Sequence, residues 1–274
     1  MKNFCIIRNI TKDPLDDMTS RIRFYLENKG ATCYVCEEED PITPETECGL
    51  VLGGDGTLLR AAKKALSADI PLIGINLGTL GYLAEVDRLG VYEALDSLLN
   101  DEYTLEKRMM LTGSIFHEGR EVYTDVALND IVISRDGSPR IILFENYVNG
   151  AFLTNYQADA MIISTPTGST GYALSAGSPI VSPRADLILM TPLAPHTLNA
   201  RSIIFPDTDE IRVRIGAGRV VHPERAMVDF DGSVGFRVET GDEIVIRRAK
   251  ASTKIIKIKQ ESFLETLRRK LGNN

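Results

Sequence analysis

The sequence predicts an α/β N-terminal domain, built on an open, Rossmann-like parallel sheet, followed by a β-rich C-terminal domain. Two observations support this fold class. Over the first hundred residues, apolar segments of strand length alternate with segments of helical periodicity. After about residue 102, short segments of alternating polarity are separated by glycine, aspartate and asparagine turns.

The first hundred residues contain strand and helix patterns in turn. Strands are predicted at Phe4–Arg8, Ala31–Cys36, Gly49–Leu52 and Pro71–Asn76, and helices at Asp13–Asn28, Leu58–Leu66 and Val91–Leu99. Asp13-Pro14 should begin the first helix, because an acidic N-cap followed by proline favours initiation. Gly30 should end it. Such alternation is typical of a parallel sheet flanked by helices.

The middle of the chain has the two-residue period of antiparallel strands. Strands are predicted at Val122–Val126, Asp130–Ser134, Arg140–Val148, Glu210–Ile215 and Glu243–Arg248, and an amphipathic helix at Ser262–Gly272. The turns between these strands include Asn149-Gly150 and Asp231-Gly232. The change of period places a domain boundary near Asp101.

The charge and hydropathy of the 274 residues exclude several classes of protein. The net charge is −7, so a general nucleic-acid coat is not expected. Nine Lys or Arg lie between Arg247 and Lys270, and a solvated strand face with a helix end explains them better than a nucleic-acid patch. No apolar run reaches the length of a signal peptide core or a membrane span, so we expect a cytoplasmic protein without a membrane partner.

All four cysteines lie in the first fifth of the chain. Cys33 and Cys36 have the CxxC spacing, but no second pair or nearby histidines complete a metal site. We therefore expect the cysteines to pack in the core, and we predict no metal ligands among them.

A glycine-rich turn, Gly53-Gly54-Asp55-Gly56-Thr57, joins an apolar strand to a helix. Glycines let a backbone approach a phosphate, and a helix N-terminus offers unpaired N–H groups. A carboxylate there suggests a Mg²⁺ partner or a base that orients a hydroxyl nucleophile. The turn contains no lysine, so Mg²⁺ should carry more of the charge neutralisation. An ordinary tight strand-to-helix turn would show some of the same residues.

Three other segments place polar or aromatic groups at strand ends. Tyr82 follows a strand that ends at Asn76, so it should share the sheet edge of Asp55; it can stack on a flat ring or be a buried turn residue. Asn129 and Asp130 can read a polar ring edge and a ribose diol, or form a turn. The hydroxyl- and glycine-rich segment 164–177 can hold phosphates without net positive charge, or be an ordinary loop.

Together these motifs resemble the NAD kinases. The resemblance rests on Gly53–Thr57, Leu77–Tyr82, Asn129-Asp130, Thr165–Tyr172, Pro195–Leu198 with Arg201, and Val228–Gly232. The first motif alone is shared with diacylglycerol and sphingosine lipid kinases and, loosely, with phosphofructokinases. The combination, which spans about residues 50–235, is far more specific.

The resemblance implies transfer of the γ-phosphoryl group of ATP, or of another donor, to the 2′-hydroxyl of the adenosine ribose of NAD, which gives NADP. Mg²⁺ or another divalent cation would assist. The implied domains are residues 1–101, joined by a C-terminal segment 255–274 that returns to them, and a β-rich NAD-binding domain of residues 102–254. A homodimer or homotetramer is implied, with residues crossing between subunits.

The resemblance also implies roles for single residues. Asp55 would be the base or orienter for the 2′-hydroxyl, Asn129 and Asp130 would hold adenine and ribose, and Asp159 would meet the nicotinamide amide. The other residues implied in NAD binding are Gly56, Tyr82, Thr165, Thr167, Thr170, Gly171, Tyr172 and Ser175. The donor phosphates would lie at Gly53, Gly54, Gly56 and Thr57.

Two positions depart from the family pattern, since Gly171 stands where alanine is commoner and Ser178 where glycine is commoner. Gly171 removes one methyl group, so substrate affinity is expected to shift while the reaction class survives. Two other functions compete with NAD kinase: a lipid kinase of the same superfamily, and a non-catalytic NAD(P)-binding regulator. The intact Asp55 motif argues against the regulator, and the Asn129-Asp130 pair against the lipid kinase. The sequence does not decide between ATP and polyphosphate, nor the use of NADH, feedback by NADPH or a role for His222.

Overall fold

The computed structural model describes residues 1–15, 17–37, 40–78, 81–137, 141–197, 199–218, 223–233, 235–258 and 263–272. The chain packs as two compact units, a first unit of Met1–Arg108 with Ser252–Asn274, and a second unit of Met109–Ala251. The limits predicted from the sequence lie a few residues away, because two long strands each run from one unit into the other.

The first unit contains a parallel sheet with helices between its strands. Its elements are β1 (Asn3–Arg8), α1 (Asp17–Asn28), β2 (Thr32–Val35), β3 (Cys48–Gly53), α2 (Asp55–Leu66), β4 (Leu72–Asn76), β5 (Val86–Asp87), α3 (Val91–Leu99) and the start of β6 (Thr104–His117). The strand order is β2-β1-β3-β4, with β5 beside β4, and all these pairs are parallel. Every residue of β3 and β4 is buried, as expected for central parallel strands.

Two helices of the first unit begin elsewhere than the sequence predicts. Helix α1 begins at Asp17, not at Asp13, because the Asp13 carboxylate lies outside the helix and accepts the backbone N–H groups of Met18 and Thr19. Helix α2 begins at Asp55, three residues before the predicted Leu58. The acid and the last glycine of the glycine-rich turn therefore belong to its first turn.

The second unit is built from antiparallel strands. It contains most of β6, then β7 (Arg120–Ala127), β8 (Asp130–Arg135), β9 (Ile142–Val148), β10 (Ala151–Ala158), β11 (Ala160–Ser164), a 3₁₀ turn (Gly168–Thr170), α4 (Tyr172–Ser175), β12 (Leu187–Leu193), β13 (Ile203–Pro206), β14 (Ile211–Ile215), β15 (Arg225–Phe230), β16 (Phe236–Glu239) and most of β17 (Glu243–Lys257). One sheet has the order β13-β12-β11-β8-β15-β16, and β10-β9-β14-β17 form a second set of neighbours. Phe144, Ile131 and Phe230 lie in the core of this unit.

The predicted Asn149-Gly150 turn is confirmed, with φ of 49° and 80° at the two residues, and it joins β9 to β10. The sequence analysis did not predict strands β5, β6, β10, β12, β13, β15 and β16. The last helix, α5 (Phe263–Leu271), belongs to the first unit, and Ile255 of β17 pairs with Leu72 of β4 there. This agrees with the predicted return of the C-terminal segment.

All four cysteines are buried free thiols, which confirms their predicted packing role. Within the described ranges, no helix is long and apolar enough to cross a membrane.

Candidate functional site

The glycine loop, Gly53–Thr57, lies at the carboxyl end of β3. Gly53 ends the strand, Gly54 is the N-cap of α2, and Asp55 is the first helical residue. Gly53 lets the buried side chain of Thr57 pack directly against the backbone, because a Cβ at this position would overlap that side chain. The loop thus joins a buried strand to a helix N-terminus, which is a suitable geometry for phosphate.

The Asp55 carboxylate is held by the chain that follows β4. Its Oδ2 accepts the N–H of Tyr82 at 2.9 Å, and its Oδ1 accepts the N–H of Leu83 at 3.1 Å. The carboxylate packs directly on Gly81, where any Cβ would overlap it. Since a carboxylate oxygen has two lone pairs, each Asp55 oxygen can still accept one further hydrogen bond. The predicted meeting of Asp55 and the Tyr82 segment at one sheet edge is confirmed.

The Tyr82 ring has a cation over one face. The ammonium of Lys270, from α5, lies 5.5 Å from the ring centroid. This contact joins α5 to the sheet edge of the first unit. The predicted stacking of Tyr82 on a substrate ring stays a prediction, with one ring face already used.

A lysine from another loop reaches the glycine loop. A Cβ at Gly54 would lie 2.9 Å from Lys12 Nζ, and a Cβ at Gly78 would lie 3.9 Å from it. The sequence analysis missed this cation because it searched only the residues around Asp55. The usable signal was the position of Lys12 just after β1, which puts it at the same carboxyl edge as the glycine loop.

Three loops of the second unit meet at one end of its six-stranded sheet, and we call them the Asn129 corner. They are residues 128–130, residues 165–171 and Asp231. Strand pairing brings them together, because Asp130 at the start of β8 pairs with Ser164 at the end of β11. The N–H of Asp231 donates to the Asp130 carbonyl at 3.0 Å.

Asp231 organises the backbone of this corner. Its carboxylate accepts the N–H groups of Leu128, Asn129 and Asp130, at 2.7, 2.7 and 3.2 Å. Asp231 and Gly232 have φ of 56° and 70°, so the predicted Asp-Gly turn is confirmed. The sequence analysis gave the Asp231 side chain no role, since an Asp-Gly pair indicates a turn and says nothing of what the carboxylate binds.

Two acceptors in the Asn129 corner lack protein donors. Asn129 Oδ1 is buried without a hydrogen-bond partner, and no donor of the described residues reaches the Asp130 carboxylate. Asp130 is 5% exposed. Burial, and secondly the charge of Asp231, raise the pKa of Asp130 to about 7. A donor-rich ligand would satisfy both acceptors, since an unmet buried acceptor costs about 1–3 kcal/mol.

Hydroxyls of the loop after β11 donate to backbone carbonyls within that loop and in the loop of residues 128–130. Thr165 Oγ1 donates to the Leu128 carbonyl at 2.6 Å, and Thr170 Oγ1 donates to Thr167 at 3.2 Å. Thr165 and Thr167 are buried. A Cβ at Gly168 would overlap the Asn129 carbonyl, so this glycine permits the two loops to touch. The structure therefore gives these residues a part in shaping the corner, and direct contact with NAD stays a prediction.

Gly171 lies beside the side chains of Asn129 and Asp130. A Cβ here would lie 3.2 Å from Asn129 Nδ2 and 3.7 Å from Asp130 Oδ2. The predicted departure from the family pattern therefore lies against the predicted adenosine-binding pair. Ser178, the second departure, is buried, and its hydroxyl has no hydrogen-bond partner in the described structure.

The remaining predicted residues lie farther out. Tyr172 and Ser175, on α4, are exposed. Asp159 precedes β11, so about 20 Å of strand separates it from the Asn129 corner, and it forms an ion pair with Arg135 at 3.5 Å. One chain therefore does not bring Asp159 to Asn129. His222 lies outside the described residues.

Family models match two parts of the chain. Residues 37–103 match the family of the ATP-NAD kinase N-terminal domain, and residues 128–258 match that of the ATP-NAD kinase C-terminal domain. An NAD kinase of Agathobacter rectalis is 47% identical, and one of Lachnoclostridium phytofermentans is 43% identical. Both alignments cover 100% of this chain, with 99% and 100% of the respective relatives.

Two solved structures share the fold. Yeast NADH kinase complexed with NADH has a TM-score of 0.88 at 24% identity, covering 100% of this chain and 88% of that one. An NAD kinase from Archaeoglobus fulgidus in complex with ATP has a TM-score of 0.78 at 23% identity, covering 98% of both chains.

Proposed function

The chain belongs to the ATP-NAD kinase family, and we propose that its Asp55 orients the 2′-hydroxyl of the adenosine ribose of NAD and receives its proton. As a member of this family, the protein is a phosphotransferase with an alcohol acceptor, and it converts NAD to NADP. One observation supports the role of Asp55. Its carboxylate, in the first turn of α2, accepts the backbone N–H groups of Tyr82 and Leu83 and keeps lone pairs that can accept from a hydroxyl.

The Asn129 corner is the proposed adenosine site. Asn129 Oδ1 would accept from the adenine amino group, and Asp130 would accept from ribose hydroxyls. The support is that both groups are unpartnered acceptors, whereas these parts of NAD are donors. Further proposed NAD contacts are Gly56, Tyr82, Thr165, Thr167, Thr170, Gly171, Tyr172 and Ser175.

ATP is the proposed donor at the glycine loop, with its phosphates on Gly53, Gly54, Gly56 and Thr57. A divalent cation fits this site if substrate phosphates and water supply most of its ligands. No cluster of three His, Cys, Asp or Glu side chains occurs among the described residues, so a cage made of protein alone is absent from that part of the chain. Mg²⁺ commonly keeps several waters and binds one or two carboxylates plus substrate phosphates, and Asp55 suits that mode. The bound ion would neutralise phosphate charge.

A homodimer or homotetramer in the cytoplasm is also proposed. The resemblance to a family whose residues cross between subunits supports assembly. Asp159, at the far end of β11 from the Asn129 corner, is proposed to meet the nicotinamide amide. Four buried free cysteines suit a reducing compartment.

The test is NADP formation from NAD, ATP and Mg²⁺, measured with a coupled NADP-specific dehydrogenase. Asp55→Asn should lower kcat by about 100-fold or more, since general-base catalysis contributes 10²–10⁴-fold. Its NAD dissociation constant should stay within about threefold, because Asn keeps the side-chain shape. Asp69→Asn is the matched control: Asp69 is exposed and paired with Lys254, and Asn tolerates its φ of 52°. An Asp55→Asn enzyme as active as this control would refute the proposed role.

A further inference from the structure

Lys12 is carried by a turn that is tied to the strand of the glycine loop. The N–H of Asn9 donates to the Leu52 carbonyl of β3 at 2.9 Å, and the N–H of Lys12 donates to the Asn9 carbonyl at 3.0 Å. The Asn9 side chain closes the turn by accepting from the N–H and hydroxyl of Thr11. The backbone of Lys12 is therefore positioned by the same strand that ends in Gly53.

The ammonium of Lys12 lies over backbone and not over an acid. Its Nζ lies close to two glycines: a Cβ added at Gly54 would be 2.9 Å from Nζ, and a Cβ added at Gly78 would be 3.9 Å from Nζ. In the described parts of the chain no carboxylate lies within 4 Å of Nζ. A cation placed over a phosphate-binding loop without a protein anion is suited to a phosphate of the ligand.

A cavity with a volume of about 480 Å³ lies beside this turn. This volume is within the usual range for small-molecule sites. Ile7, Ile10 and Ala61 form an apolar part of its wall, and Thr57 belongs to the glycine loop. Arg60 and Lys63 add cations, and Glu37 adds one acid. An apolar wall suits a nucleoside better than a chain of inorganic phosphates. A nucleotide seated here would direct its phosphates towards the glycine loop and Lys12.

We propose that Lys12 is a catalytic residue of the phosphoryl transfer, with its ammonium contacting the transferred group of a nucleoside triphosphate in this cavity. The inference rests on the proposed function of the glycine loop. In the step itself, the 2′-oxygen of NAD bonds to the γ-phosphorus, the bond from that phosphorus to the β,γ-bridging oxygen breaks, and ADP leaves. The hydroxyl proton passes to Asp55. Lys12 transfers no proton; it stabilises charge on the migrating phosphoryl group.

The test compares Lys12→Met and Lys12→Arg with Lys29→Met as the matched control. Lys29 is a half-exposed lysine of the first unit, paired with Asp96 away from the loop, so its replacement makes the same change of net charge. Lys12→Met should lower kcat/KM for ATP by about 100-fold, the usual loss for one transition-state donor. The KM for NAD should stay within about twofold, and Lys12→Arg should recover at least about a tenth of the lost activity. Lys29→Met should behave as the wild type.

Binding of ADP by calorimetry, without NAD or turnover, gives a second readout. Lys12→Met should weaken it, and the loss should shrink as salt is raised, because the lost contact is ionic. The proposal is overturned if Lys12→Met matches Lys29→Met in kcat/KM for ATP and in ADP affinity. It is equally overturned if the loss accompanies a lowered melting temperature that Lys12→Arg does not restore, since that identifies a structural role. A wild-type protein that makes no NADP would refute the proposed function instead, and the ADP comparison would still decide for or against Lys12.

Discussion

Among the described residues, two Asp-Gly pairs have carboxylates that accept backbone N–H groups, and the surroundings of the two carboxylates differ. Asp55, in the first unit, accepts two N–H groups, one on each oxygen. Asp231, in the second unit, accepts three. The Asp55 carboxylate is therefore held in place and can still accept a hydrogen bond from a hydroxyl. The Asp231 carboxylate has most of its lone pairs occupied by N–H groups of the Asn129 corner. The smaller number of N–H groups around Asp55 is compatible with its proposed contact with a hydroxyl.

Removing the Asp231 carboxylate should produce the largest effect. Asp231→Ala would leave three backbone N–H groups without their acceptor, at about 1–3 kcal/mol for each buried group. We expect the free energy of unfolding to fall by about 3 kcal/mol or more, and the KM for NAD to rise. Urea unfolding with NADP kinetics measures both. Asp231→Asn keeps one acceptor oxygen and should lose less; equal losses would show that the N–H contacts do not matter.

The two regions should also respond differently to a methyl group on a glycine. Gly168→Ala would press a Cβ on the Asn129 carbonyl, so we expect a loss of about 2 kcal/mol in unfolding free energy. Gly56→Ala meets nothing within 4 Å in the first turn of α2 and should be neutral or slightly stabilising. Thermal unfolding of both variants decides. A Gly168→Ala protein as stable as Gly56→Ala would mean that the two loops of the corner can separate without cost.

The pKa of Asp130 makes the Asn129 corner sensitive to pH. The pKa of the Asp130 carboxyl is about 7 in the folded protein, against 3.8 for an ordinary Asp. Between pH 3.8 and 7, Asp130 is therefore protonated in the folded state and ionised in the unfolded state. This stabilisation is complete below about pH 4 and is lost as the pH rises through 7. Asp130→Asn removes the buried charge, so its unfolding free energy should exceed that of the wild type by about 1 kcal/mol or more at pH 8. The difference between the two proteins, followed by urea unfolding from pH 5 to 8, should grow with pH. A constant difference would contradict the raised pKa.

The sequence predicted more of the fold than of the site. The periodicity of apolar residues identified both folding units, because a helix or strand that buries one face repeats its apolar residues at a characteristic spacing. The sequence patterns missed β5, β6, β10, β12, β13, β15 and β16. Thr165 shows the limit at the site: its hydroxyl is part of a motif, but its partner is a carbonyl 37 residues away. Lys12 shows the same limit, since only the folded sheet edge brings it to Gly54. Contacts between distant segments depend on tertiary packing, which a local pattern does not contain.

The smallest expected effect is at Gly171, in the Asn129 corner. An added methyl group would lie 3.2 Å from Asn129 Nδ2 and 3.3 Å from the Gly168 carbonyl, so the neighbours must shift by a few tenths of an ångström. Gly171→Ala should therefore raise the KM for NAD by about two- to fivefold, which corresponds to less than about 1 kcal/mol, while kcat changes little. Steady-state kinetics against varied NAD measures this, and the KM for ATP serves as the internal control. A large fall in kcat at unchanged KM would place Gly171 beside the reacting groups and not beside the adenosine, and the division of labour between Asp55 and the Asn129 corner would have to be redrawn.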